Sequence, residues 1–409
     1  MDHTSAIERD LRIILGIQAL RAFGYGFASV VLGSALADSG LSAAEVGLVF
    51  AAILAGNAIV SITVGVVGDR VGRRRSYAVL LCAMAVAGVA YAWSDELWVL
   101  VPVALTGSLS TDANESGPLT SLEQAMLGGA DPETLARVFG RYNAVAYLAG
   151  ALGALAGGGP SLLRGWLPTI PIDQRWLLVL TAAAAGSLLL VRRLSPAIDA
   201  KADRSERPLA RSRGEVTRLA ALFGLDAFAG GFVVSTFIVF WFGRRFGASA
   251  ELMGLVLFGS GLLQGASSIA SGWLATRIGL LPTMVYTHLP SNVLLMLIPV
   301  MPSLGLGVAA LLARSGLSQM DVPARQAYVT ALVDPSERTA AAAFTNSARY
   351  VVRPFGAASA GVLMQRVAVG APFVVAGALK CVYDLLLLAR FRRVPLHDQT
   401  RTEPGSSIG

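Results

Sequence analysis

The sequence predicts an all-α membrane protein of twelve transmembrane helices arranged as two pseudo-symmetric six-helix halves. Three observations predict it. Apolar residues come in blocks of roughly twenty, the length that crosses a hydrocarbon core at 1.5 Å per residue. Only 14% of the 409 residues are charged, and the mean hydropathy is +0.62, whereas a soluble domain carries about a quarter charged residues. The second half also repeats the first: Asp131-Pro132, Asn143, Tyr147 and Gly153-Ala154 recur as Asp334-Pro335, Asn346, Tyr350 and Gly356-Ala357, offset by 203 residues throughout.

The apolar blocks cover residues 11–35, 42–67, 76–93, 97–127, 138–160, 175–192, 216–242, 250–275, 282–302, 304–333, 340–365 and 370–391. Without water to satisfy backbone polar groups, such blocks form helices or closed barrels. The absence of period-two alternation selects helices. The first block is long, carries Arg21 mid-span and lacks a small-residue cleavage site, so it reads as a span and not a signal peptide. Residues 1–192 and 216–395 form the expected halves, 193–215 the polar linker between them, and 396–409 a polar tail. Cys82 and Cys381 fall inside spans far apart in sequence and read as small apolar residues.

Charge orients the bundle. With the N-terminus in the cytoplasm, 22 of the 33 Lys and Arg fall on that side and 5 on the other: Arg164, Arg175, Arg244, Arg245 and Arg366. The remaining 6 lie within spans. This asymmetry follows the positive-inside rule and predicts cytoplasmic termini in the cytoplasmic membrane. The net charge of +7 is then a topology signal attracted to anionic membrane lipid, not a nucleic-acid footprint.

Between the second and third blocks lies Gly65-Val66-Val67-Gly68-Asp69-Arg70-Val71-Gly72-Arg73-Arg74-Arg75, a compact charged turn. The spacing G-x-x-x-D-R-x-G-R-R resembles the signature loop of the major facilitator superfamily of secondary transporters, with Val67 where that family usually has Leu. The turn recurs weakly as Gly272 to Gly279, without its acid. Gly117 to Gln124 and Gln319 to Tyr328 (QMDVPARQAY) are similar to a bacterial subgroup of the family. The resemblance implies a substrate held near the midplane between two rocking halves. It gives Gly65, Asp69, Arg70, Gly72 and Arg73 a gating role. It also turns spans 1, 4, 7 and 10 toward a central cavity, which assigns Arg21, Glu115, Asp226, Arg314, Asp321 and Arg325 to the substrate or ion pathway. The run Gly150 to Pro160 only loosely resembles the family's antiporter motif, because its proline follows the glycines.

Ionisable groups inside a membrane cost several kcal/mol unless paired or hydrated. Six bases and six acids (Asp112, Glu115, Glu123, Asp226, Asp321 and Asp384) leave the interior near neutral. Arg349 and Arg353 lie one turn apart on one face of span 11, so an acid, carbonyls or an anion must sit between them, with Asp226 or Asp321 the expected protein partner. Lys380 and Asp384 are four apart on span 12 and predict a private salt bridge. His288, beside Pro290 and Asn292, reads as a hydrogen-bonded packing residue. Spans 4 and 10 are interrupted in corresponding places, at Asp112 to Pro118, and at Ser315-Gly316 followed by Asp321-Val322-Pro323, a pointer to a binding site or gate.

These features predict a monomeric secondary transporter of a small organic molecule, proton-coupled and exporting, with no cofactor and no enzyme activity. Glu115, Asp226 and Asp321 are the candidate proton acceptors. Two other readings stand beside it. One is a carrier of an organic anion clamped by Arg21, Arg314, Arg349 and Arg353; the other is a transport-inactive relative acting as a sensor. No P-loop, metal-ligand spacing or nucleophile elbow is present.

Overall fold

The computed structural model describes residues 3–110, 117–127, 132–169, 171, 173–199, 212–334 and 337–394. Within them the chain forms α1 (His3–Asp38), α2 (Ala43–Val71), α3 (Arg73–Trp93), α4 (Leu97–Ala104), α5 (Pro118–Leu127), α6 (Pro132–Gly157), α7 (Gly159–Arg164) and α8 (Leu178–Val191). After the linker come α9 (Arg213–Phe232), α10 (Ser235–Phe246), α11 (Ala250–Ile278), α12 (Leu280–Leu297), α13 (Leu304–Leu317), α14 (Asp321–Leu332), α15 (Arg338–Arg366) and α16 (Ala371–Phe391). The pairs α4/α5, α9/α10 and α13/α14 each make one interrupted span, so the elements match the twelve apolar blocks.

Among the described residues, nine segments are long and apolar enough to cross a membrane. The blocks left out are the two broken at α4/α5 and α13/α14, and α15, which carries Arg338, Arg349, Arg353 and Arg366.

Local sequence starts and stops these helices. Ser42 and Glu45 form a reciprocal capping box at α2, the Ser42 N–H donating to Glu45 Oε2 at 2.7 Å and the Glu45 N–H to Ser42 Oγ at 3.3 Å. Ser249 and Ser303 cap α11 and α13 with one bond each, their hydroxyls accepting from the N–H of Leu252 and Leu306. The charged turn is shorter than the sequence suggests. Helix α2 continues through Asp69 and Arg70 to Val71, and only Gly72 separates it from α3. Gly72 has φ +96°, and Gly279 between α11 and α12 has φ +89°, a backbone region that costs an L side chain about 1–3 kcal/mol. The weak second copy of the turn therefore performs the same backbone reversal as the first.

Helix α4 ends at Ala104, ahead of Gly107 at φ +66°, and α5 starts at Pro118; most of the predicted interruption at Asp112 to Pro118 lies outside the described residues. Span 10 opens at Ser318 to Met320, between the two predicted interruptions, and restarts at Asp321. Span 7 is broken at Val233-Val234 as well, with no Pro or Gly at the break to announce it.

The repeat is visible in the packing. A Cβ on Gly153 would lie 2.0 Å from the Phe23 carbonyl oxygen, and one on Gly356 2.0 Å from that of Phe228. Likewise a Cβ on Gly26 would meet the Gly150 oxygen at 2.0 Å, and one on Gly231 the Arg353 oxygen at 2.1 Å. Helix α1 thus crosses α6 as α9 crosses α15, backbone against backbone, which small residues permit in membranes.

The halves meet through α2 against α15 and α6 against α11. Their close approaches cluster away from the chain termini: Gly47 on Gly361, Gly254 on the Ala154 oxygen, and Gly261 on the Ala151 side chain. Gly265 and Gly272 lie on the same face of α11 as Gly254 and Gly261, and among the described residues nothing lies within 4 Å of where their Cβ would be. The α6–α11 seam is therefore tightly packed at the distal end, while at the end bearing the termini most of the facing α6 side chains lie outside the described residues.

Candidate functional site

Two buried charge networks occupy the middle of the bundle, one in each half. In the first, Arg21 on α1 donates from Nη2 to Glu123 Oε2 on α5 at 2.6 Å, to Thr120 Oγ1 at 3.1 Å, to Tyr142 OH at 3.3 Å, and to Gln18 Oε1. Glu123 accepts in turn from the Tyr77 and Tyr142 hydroxyls. Arg21 is 2% exposed and Glu123 0%. An ion pair this deep persists only when its remaining lone pairs and protons find partners; two tyrosines, a threonine and a glutamine supply most of them, and the Arg21 Nε is buried without one among the described residues.

In the second, Asp226 on α9 is held from three sides. Lys380 on α16 donates to Oδ1 at 2.5 Å, Arg325 on α14 to Oδ2 at 3.3 Å, and the His288 Nε2 of α12 lies 3.9 Å from Oδ1. Arg325 also reaches Asp321, one turn back on α14, at 3.2 Å. The predicted Lys380–Asp384 salt bridge does not form. Lys380 turns to Asp226, while Asp384 contacts His288 Nδ1 at 2.9 Å and accepts from Asn292 Nδ2 at 2.9 Å. An interhelical partner replaces the i,i+4 one because Asp226 would otherwise be a buried carboxylate facing Arg325 alone. His288 is hydrogen-bonded, as expected, but between two carboxylates.

The networks mirror each other with the signs exchanged. The base sits on α1 and the acid on α5 in one half; the acid sits on α9 and the base on α14 in the other. Arg21 and Asp226 are 205 positions apart, the offset that also relates Phe23 to Phe228 and Gly26 to Gly231.

The other predicted residues are placed as follows. Arg349 and Arg353 are partly exposed on α15, and Arg314 is partly exposed on α13. Asp226 and Asp321 pair with Arg325 and Lys380, not with the α15 arginines. Arg73 is buried, while the side chains of Gly65, Asp69 and Arg70 lie outside the described residues. So do Asp112 and Glu115. Glu123 was counted among the buried acids but not placed at the site; the signal for it was Arg21 itself, which at mid-span demands an acid. Between the halves, the Tyr147 hydroxyl donates to Gln319 Oε1 at 3.3 Å, joining α6 to the break ahead of Asp321.

The Major Facilitator Superfamily model matches residues 14–242 and 219–407. The chain is 23% identical over 421 residues to an uncharacterized membrane protein of Saccharomyces cerevisiae, covering 94% of each. Its fold is similar to that of a bacterial homolog of the human lysosomal transporter Spinster, in an inward-facing and occupied conformation, at TM-score 0.73 and 15% identity, covering 93% of this chain and 96% of that one. It is also similar to the nucleoside transporter NupG, at TM-score 0.72 and 14% identity, covering 93% and 99%. A family match across both halves, the repeated helix crossings and the charged turn converge: the chain belongs to the Major Facilitator Superfamily.

Proposed function

We propose that this multi-pass transporter carries a small organic molecule across the cytoplasmic membrane by alternating access, coupled to protons and running in the export direction. The observation that carries the coupling is the Asp226 cluster, where a carboxylate is bound by Lys380 and Arg325 with His288 3.9 Å away. A carboxylate with two cations and an imidazole within reach can exchange a proton when its partners move apart. Asp321, on the same Arg325, and Glu115 are the further proton acceptors. The tightly packed distal end of the seam supports alternating access, with the end bearing the termini cytoplasmic by the positive-inside rule. Export rests on the glycine-rich run of α6. The positions Gly65, Asp69, Arg70, Gly72 and Arg73 act as the gate. The carrier works as a monomer in the lipid bilayer.

Counterflow in proteoliposomes, screened against metabolites and drugs with and without a proton gradient, tests this reading. A carrier gives counterflow and a sensor gives none. Glu115→Gln, Asp226→Asn or Asp321→Asn should uncouple flux from the gradient while exchange persists. Wild-type gradient dependence in all three would remove the proton assignment.

A further inference from the structure

Arg349 is a guanidinium in the bundle with no hydrogen-bond or ion-pair partner among the described residues, and its Nε is buried. The groups that act on it electrostatically are Arg325, Asp226, Asp321 and Tyr350. Both carboxylates are already taken, Asp226 by Lys380 and Arg325, and Asp321 by Arg325. Asp384 is committed to His288 and Asn292. Three cations, Arg325, Lys380 and Arg349, therefore share two carboxylates. An arginine cannot shed its charge by deprotonating, and an unpaired charge within a membrane protein is costly enough to mark function.

Arg349 is also partly exposed, so a ligand can reach it. Resting on the carrier reading above, we infer that Arg349 holds the carboxylate of a monovalent organic anion, the transported molecule, between the two halves. Among the described side chains of this cluster, the three cations Arg325, Lys380 and Arg349 face the two carboxylates Asp226 and Asp321, a surplus that a monovalent anion offsets in low-dielectric space. The planar fork of the guanidinium suits a carboxylate through two parallel N–H donors. Arg353, one turn along α15, adds positive potential on the same face. Such an anion moving with a proton is carried electroneutrally as the whole acid, so export follows wherever the cell accumulates it.

The test uses the full chain in a neutral detergent, with thermal unfolding followed in benzoate, lactate and glycolate, each against its carboxamide. The acids should raise the wild-type Tm and the carboxamides should not. Arg349→Met should raise the ligand-free Tm by removing an orphan cation, and should weaken the response to acid at least roughly tenfold, the worth of a charge-assisted hydrogen bond. Arg349→Lys should keep part of the response. Arg277→Gln, an exposed residue lying over Trp273, should keep all of it. If Arg349→Met instead lowers the ligand-free Tm as Arg325→Met does, the residue is structural and the inference fails. It fails equally if carboxamides protect as well as acids, or if no acid protects. Counterflow separates the two readings: protection by acids without counterflow removes the carrier and leaves the anion site, whereas coupled counterflow of neutral compounds alone does the reverse.

Discussion

Arg21 and Glu123 illustrate what a single buried charge demands of its surroundings. Each is fully enclosed, and Gln18, Thr120, Tyr77 and Tyr142 satisfy most of what the salt bridge leaves over. Breaking one member strands the other, which costs roughly 3–5 kcal/mol. Glu123→Gln should therefore lower thermal stability in detergent sharply, and Arg21→Gln/Glu123→Gln should recover part of the loss. Strictly additive losses would show that the two do not act as a pair. The Asp226 cluster behaves differently. Lys380→Met leaves Arg325 in place to neutralise Asp226, so it should destabilise less than Arg325→Met, which strands Asp321 as well. An equal loss of Tm for both variants would contradict that ordering. Arg21 announced a partner in the sequence, but which of the six intramembrane acids answers it depended on how α5 meets α1.

At the scale of elements, glycine placement decides which helices touch and which remain apart. Gly153 and Gly356 sit in backbone-to-backbone crossings with no room for a Cβ, and overpacking of such contacts is destabilising. Gly153→Leu and Gly356→Leu should abolish stable expression. Gly272→Leu should leave folding intact, since nothing lies within 4 Å of its Cβ position. If the α6–α11 seam closes at this end during the cycle, the same variant should slow counterflow at least roughly tenfold, about 1.4 kcal/mol on a conformational barrier. Normal counterflow by a well-folded Gly272→Leu would mean the seam stays open there. The twelve blocks and the repeat were legible because bilayer thickness and period impose them directly. The break in span 7 was not, because Val233 and Val234 carry no helix-breaking chemistry of their own; the break follows from how α9 and α10 pack on different neighbours.

For the whole molecule, the tightly packed distal seam between α6 and α11 is the feature a transport cycle would have to open. In a background lacking Cys82 and Cys381, cross-linking Ala151→Cys to Gly261→Cys should hold the distal seam shut, blocking net transport while substrate still binds from the opposite end. Undiminished transport after complete cross-linking would show that the seam does not open. Asp69→Asn should stop or severely slow net transport while substrate affinity changes less than about threefold, a shift well under 1.4 kcal/mol. A large loss of affinity with normal exchange would place Asp69 at the substrate instead. The sequence by itself determined the membrane class, the all-helical fold, the twofold repeat and the family, because hydrocarbon thickness, backbone hydrogen bonding and a spaced turn act on local stretches of chain. Only the tertiary structure decided which buried charges pair. Lys380 faces an acid one turn away on its own helix and another 154 positions distant; it takes the distant one. Electrostatic energy in a low-dielectric interior depends on distances and solvation between helices, and these exist only once the helices have packed.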